Sequence, residues 1–200
     1  MLRIITAIFV AGLLAATPAM ADDHKEPEAR YSALVGVSPF GGSLQFGYND
    51  SRQTSYQFAM GFFAGKAPIK PKINDIEYEI ESETNWVGFF LNHRPSLKYE
   101  WFRLVAGFGI GEIENELDDG EGNTYQADYQ ENPVGYLGLG FGGQAKKGFI
   151  WAFDMGLLHT GGPNVYKTGG MGADESQEIA DSFFFGRVLP NFQLSLGWGF

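Results

Sequence analysis

The sequence contains no cysteine, and its three histidines, His24, His93 and His159, are scattered along 200 residues. The first absence removes disulfide staples, so stability must come from elsewhere. Basic residues are also scarce: 14 Lys and Arg stand against 24 Asp and Glu, a formal net charge of −10. Phosphate backbones are bound by clustered Lys and Arg, so no nucleic-acid partner is expected. Beyond the first 16 residues no apolar run approaches the roughly 20 residues of a membrane-crossing helix. What the chain has instead is glycine, at 28 residues, and aromatics, at 16%. That composition points to strands rather than helices.

The N-terminus reads as an export signal. Arg3 precedes an apolar run from Ile4 to Ala16, and Ala19-Met20-Ala21 then precedes the charged Asp22-Asp23-His24-Lys25. A basic start, a short apolar centre and a small-x-small site predict cleavage after Ala21. Removing 21 of 200 residues leaves 179, and loss of Arg3 takes the net charge from −10 to −11. The expected organisation is a signal peptide at 1–21, a periplasmic tail at 22–29 and one domain at 30–200.

Within that domain eight segments alternate with a period of two. Their apolar faces run through Tyr31–Val37, Leu44–Tyr48, Tyr56–Phe62, Val87–Leu91, Phe102–Ile110, Leu137–Phe141, Phe149–Leu157 and Phe192–Phe200. The opposite faces carry mostly Gly, Ser, Gln and Asn. A soluble sandwich would bury its apolar face and charge the other. Apolar-out with small-polar-in is the pattern of a membrane-spanning barrel, whose closed strands leave no unpaired backbone in lipid. The fold class is therefore all-β, an eight-stranded antiparallel barrel of outer-membrane type.

The last ten residues, NFQLSLGWGF, place Phe192, Leu194, Leu196, Trp198 and Phe200 on one face. They resemble the C-terminal signal by which the barrel-assembly machinery recognises its clients. With the N-terminus periplasmic, 49–54, 93–98 and 144–148 become short periplasmic turns. Longer outer loops fall at 64–75, 112–133 and 160–190, as expected of such barrels.

From Trp86 onward the chain resembles a family. Arg94-Pro95, Phe102-Arg103-Leu104 leading to Gly107, Tyr136-Leu137-Gly138-Leu139-Gly140, Asp154-Met155-Gly156, Gly162-Pro163-Asn164-Val165, Leu189-Pro190 and the terminal Phe follow in order. Together they resemble the small eight-stranded outer-membrane proteins that include CarO, the carbapenem-associated, ornithine-uptake type of channel. The resemblance implies a barrel and uptake of small solutes. One departure is Pro133-Val134-Gly135-Tyr136, where two residues separate the proline from the Tyr-Leu-Gly.

Arg103 and Asp154 fall on the inward parity of their strands, with Gln45, Gln57 and Asn92 as further lumen candidates. A pair in the lumen either tunes selectivity or satisfies a narrow interior that needs internal partners. Inward glycines either leave a path or make room for Tyr136 and Phe90. Glu112, Glu114, Glu116, Asp118, Asp119 and Glu121 open an acidic stretch that continues to Asp128 and Glu131. It is either a solvated loop or a mouth that concentrates cations. Its spacing is not that of a Ca²⁺ loop, so neither a metal nor any cofactor is expected. Gly138–Gly143 matches G-x-G-x-x-G without the following helix that a dinucleotide site requires. His159 has Thr160 on the opposite strand face and no serine nearby, so no enzyme is expected.

Two segments leave alternatives open. Residues 173–187 are helix-like and lie either across the barrel mouth or in an outer loop. In DIEYEIESE, Asp75, Glu77, Glu79, Glu81 and Glu83 share the parity of Val87, Phe89 and Leu91. An unbroken strand points them outward, toward divalent cations and lipopolysaccharide head groups, and turns Ile76, Tyr78 and Ile80 inward. Only a β-bulge near 82–85 would turn them to the pore. The expected function is a narrow channel for small, cationic solutes. The competing reading is a non-conducting structural or surface-interaction barrel, and the third is a lipid-modifying enzyme. One expectation concerns assembly alone: Phe200→Ala should lower the amount of protein in the outer-membrane fraction and expose it to periplasmic proteolysis. Immunoblotting of fractionated cells reads both, and unchanged levels would remove the terminal-signal argument.

Overall fold

A computed structural model describes residues 28–67, 70–129 and 133–200. The expected signal peptide, most of the tail, and Glu131 lie outside the described residues. In chain order the strands are β1 (Tyr31–Ser38), β2 (Gly41–Asn49), β3 (Thr54–Lys66), β4 (Lys72–Ile73), β5 (Ile76–Glu77), β6 (Glu79–His93), β7 (Phe102–Asp118), β8 (Thr124–Tyr129), β9 (Val134–Gly142), β10 (Gly148–His159), β11 (Asn164–Gly169) and β12 (Val188–Gly199). One short helix, α1 (Ser176–Ala180), precedes β12.

Eight of these strands form a closed antiparallel ring in the order β1-β2-β3-β6-β7-β9-β10-β12 and back to β1. Closure runs from Ser32↔Gly199 to Val37↔Leu194. It is finished by Phe200, whose amide donates to the Tyr31 carbonyl at 2.9 Å and whose carbonyl accepts from the Tyr31 amide at 3.0 Å. A ring has no free edge, which is the condition for strands to stand in lipid.

The expected faces hold. Outward side chains such as Val35, Phe46, Phe58, Phe89, Phe108, Leu137 and Leu194 are exposed, and Phe62 is 65% exposed. So continuous an apolar belt fits hydrocarbon, not water. At the short-turn end the belt ends in aromatics: Tyr31, Tyr48, Tyr56, Trp101, Trp198 and Phe200. Tyr31 lies 5.8 Å from Tyr48 and 6.3 Å from Phe200 between ring centroids. Amphipathic rings at that level form an interfacial girdle.

The strands reach further than the expected loops allowed. Residues 112–118 and 124–129, expected in an outer loop, extend β7 and form β8. The 64–75 connection shrinks because β3 continues to Lys66 and pairs with β6 as far as Glu81. The physical reason is that period-two alternation does not stop where the charges begin. Ile113, Asn115 and Leu117 still alternate with acids, so the ladder carries on above the apolar belt. β8 pairs with this extension of β7, and β11 with β8. A small sheet, β6-β7-β8-β11, therefore rises from one side of the ring.

Inside, large side chains lie over glycines. Phe90 sits on Gly88 and Gly107, Trp86 on Gly61 and Gly111, and Tyr136 on Gly138 and Gly156. Phe90 and Tyr136 meet edge to face at 5.6 Å. The inward glycines make room for rings rather than a path. A methyl group at Gly107 would overlap the Phe90 ring and fall 2.6 Å from the Phe89 carbonyl oxygen. Gly107→Ala should cost about 1–3 kcal/mol of folded stability through overpacking. Gly135→Ala, where a methyl meets nothing within 4 Å, should be neutral. Urea midpoints of the folded band in unheated gels compare the two.

Candidate functional site: a belted lumen under a tyrosine-held cap

β7, β9 and β10 are neighbours, with Arg103 opposite Gly140 and Gly140 opposite Asp154. A glycine between them lets the two long side chains meet above it. Arg103 Nη2 donates to both Asp154 carboxylate oxygens at 2.7 Å, and Nη1 donates to the Gly142 carbonyl at 2.8 Å. A methyl at Gly140 would sit 2.5 Å from Asp154 Oδ1. The arrangement recurs on the opposite wall. Gln45 Nε2 donates to Ser195 Oγ at 2.9 Å and to Ser43 Oγ at 3.0 Å, across Gly36 of β1.

Further polar side chains extend the second group. Gln193 Nε2 donates to Ser195 Oγ at 3.2 Å. Gln57 Nε2 donates to Gln45 Oε1 at 2.6 Å, and Asn92 Nδ2 donates to Gln57 Oε1 at 3.3 Å. Gln45, Gln57 and Asn92 thus form one hydrogen-bonded chain on the interior wall and Arg103 and Asp154 a separate pair, which together make up its polar belt. Above the belt lies a chamber of about 110 Å³. Below it lies a cavity of about 30 Å³, close to the room one water occupies. Gln57 and Asn92 line both.

Side chains also cross the short-turn end. Arg94, 1% exposed, donates from Nε to the Glu100 carbonyl at 3.1 Å and from Nη2 to the Gly143 carbonyl. Asn49 Nδ2 donates to the Ala29 carbonyl at 2.9 Å, tying the N-terminal segment beneath the ring. Sequence reasoning does not single out Arg94 as a lumen group, because it follows its strand and its parity gives no signal.

The long-loop end carries an apolar cluster. Tyr78, Ile80, Leu117, Tyr125 and Tyr129, from the inner face of the raised sheet, pack with Ile179 of α1, Phe185 and Leu189. Three phenols bond the 173–187 segment: Tyr78 to Glu175 Oε2 at 3.1 Å, Tyr125 to the Ala173 carbonyl at 3.0 Å, and Tyr129 to the Gly186 carbonyl at 3.4 Å. Burial, then the Glu175 carboxylate, pushes the Tyr78 phenol well above its usual range, so it remains a donor. The helix-like segment therefore lies across the mouth. Sequence reasoning misses Tyr125 and Tyr129, although Tyr125, Ala127 and Tyr129 alternate as a strand face does.

The acids stand outside. β6 pairs with β7 without a register shift from Glu79↔Asp118 to His93↔Leu104, so there is no bulge. Glu81 faces Glu116, Glu83 faces Glu114, and Asn85 faces Glu112. Glu112, Glu114, Glu116 and Asp118 are all exposed on the outer face and line no pore mouth. Partial desolvation, then Glu112, Asp128 and Glu83, raises the Glu114 carboxyl above its ordinary range. Glu79 pairs with Lys66 and Lys70. Asp119 and Glu121 sit in the β7–β8 turn, where Asp119 Oδ1 accepts from the Glu121 and Asn123 amides at 2.8 and 2.9 Å. Among the described residues no group of three or more His, Cys, Asp or Glu is arranged to hold a metal ion. At the rim, Thr160 is engaged by the Arg187 carbonyl, at 3.2 Å from its hydroxyl.

A ring of eight strands of this kind is matched among solved structures. CarO of Acinetobacter baumannii aligns over 90% of this chain and 100% of its own, with a TM-score of 0.67 at 15% identity. The fold is similar to that of CarO. CarO2 of the same organism aligns over 89% and 100%, with a TM-score of 0.66 at 14% identity. A major outer membrane protein from Thermus thermophilus aligns over 85% and 98% at 11% identity, with a TM-score of 0.46. No protein-family model and no curated protein matches the chain. The resemblance to CarO in the motifs from Arg94 to Phe200 thus extends, as fold, over nine-tenths of the chain. It is an outer-membrane-type β-barrel.

The belt generates a quantitative expectation. Arg103→Met leaves the Asp154 charge buried without its partner and should cost about 3–5 kcal/mol. The double variant Arg103→Met/Asp154→Leu should recover most of that loss. Urea unfolding of the refolded protein in micelles measures the coupling, and additive losses would show that the pair is not a unit.

Proposed function

We propose that this chain is a bacterial outer-membrane barrel without a standing pore, which holds a sheet-and-helix cap with an acidic outer face above the lipid. The observation that carries this reading is the division of the lumen at Gln57 and Asn92. The cavity they line on the lower side is about 30 Å³, room for about one water. Charge supports it too. Among described inward residues of the eight ring strands only Arg103 and Asp154 are charged, and they neutralise one another. Arg94 adds a positive charge at the short-turn end, so the lumen holds two positive groups against one negative. A selective path for cations would need the reverse. The acids that suggested such a path face outward.

One observation favours a second reading, a facilitator that opens only with its solute. The chamber and the lower cavity share two side chains, so displacement of the Gln57–Asn92 contact would join them.

Planar-bilayer recording of the refolded protein separates these readings from an open channel. No unitary current steps are expected from the wild type. Steps at ordinary salt would overturn the closed-barrel reading. Solute uptake into proteoliposomes in the absence of steps would favour the facilitator.

A further inference from the structure

The chamber above the belt has a composition that the closed-barrel reading does not use. Its walls include Trp86, Phe90, Val105, Ile113, Leu158 and Leu189. Tyr136 and Asn191 also line it, and both are more than nine-tenths buried, at 3% and 8% exposure. The Asn191 side chain lies beside the Tyr136 hydroxyl and interacts with it, yet neither that hydroxyl nor the Asn191 side-chain oxygen makes a hydrogen bond of good geometry. Buried polar atoms in folded proteins are overwhelmingly paired, by protein, water or ligand. With Asn92 Oδ1, three such atoms belong to residues that line the chamber, and they leave bonding capacity that a polar head can complete.

The occupant's chemistry follows from the surroundings. A cavity of about 150 Å³ lined by aliphatic and aromatic residues stays dry and takes up benzene. At about 110 Å³, in a space that is not fully enclosed, this chamber is of the order that admits a single small ring or a branched chain of similar size. Its apolar walls favour such a body. The Tyr136 hydroxyl and the Asn191 amide oxygen favour one hydroxyl or amide head. A charged head has no counter-ion here, because both carboxylate oxygens of Asp154 already accept from Arg103. An unpaired charge in this setting would carry a large desolvation penalty.

We propose that the chamber is a binding site for a small uncharged amphiphile, an apolar body of phenol size with one hydroxyl or amide head directed at Tyr136 and Asn191. The site goes beyond the closed-barrel reading and does not depend on it. A barrel that passes current could still bind, and a silent one could fail to.

The probe is 4-fluorophenol, followed by ¹⁹F NMR on the refolded full barrel in detergent micelles. Empty micelles correct for partitioning. Saturable binding is expected for the wild type. Val105→Phe and Ala59→Leu fill the chamber from two different strands, and either should abolish saturation while the folded band in unheated gels is retained. Tyr136→Phe removes one hydrogen bond and should weaken binding about fivefold, the equivalent of roughly 1 kcal/mol. Fluorobenzene should bind more weakly than 4-fluorophenol, and 4-fluorobenzoate should not bind. Wild-type signal no different from empty micelles would overturn the proposal. So would full binding by both filled variants when folded, or binding of the benzoate as strong as that of the phenol.

Discussion

An eight-stranded ring encloses too little width for its inward side chains to coexist unless some are absent. That constraint organises the whole interior. Each large inward group lies over residues that carry no side chain: Trp86 over Gly61 and Gly111, Phe90 over Gly88 and Gly107, Tyr136 over Gly138 and Gly156. The polar contacts obey the same rule. Arg103 and Asp154 join above Gly140, and Gln45 and Ser195 above Gly36. Because each partner lies two strands away, these bonds also tie non-adjacent strands together. Pairing Arg103 with Asp154 and seating the inward rings are consequences of one packing solution.

Outside the ring the same two-residue period serves a different solvent. Along β6 the outward face passes from Leu91, Phe89 and Val87 to Glu83, Glu81 and Glu79, while the inward face keeps Ile80 and the preceding Tyr78 for the cap. β7 makes the matching change after Ile110. No bulge or break marks the transition, so the change of medium is written entirely in side-chain chemistry. The acids of the two strands stand opposite one another, and partial desolvation together with these neighbours raises the Glu114 carboxyl above its ordinary range. Water and salt screen such a surface, whereas hydrocarbon could not.

The ring, its closure and its faces were legible because alternation of aromatics with glycine is a local property. The same logic correctly turned Glu79, Glu81 and Glu83 outward, since parity carries over any distance when no bulge intervenes. The extension of β7 through Glu112–Asp118 was less visible, because a run of acids looks like a loop unless Ile113 and Leu117 are weighed with it. Arg103 and Asp154 could be placed on one face from sequence. Their meeting over Gly140 depends on β9 standing between β7 and β10, a relation no local pattern contains. The cap was least legible. Tyr78, Tyr125 and Tyr129 come from distant parts of the chain, and their shared purpose appears only when 173–187 is laid between them.

The position of that cap in the chain has a temporal meaning. α1 is joined to β12 by only seven residues, 181–187, and β12 is the strand that meets β1 to complete the ring. The segment that stoppers the mouth is therefore delivered by the strand that seals the wall. Any intermediate in which β1 and β12 are still apart is unsealed, and a sealed barrel has its stopper already tethered at the rim.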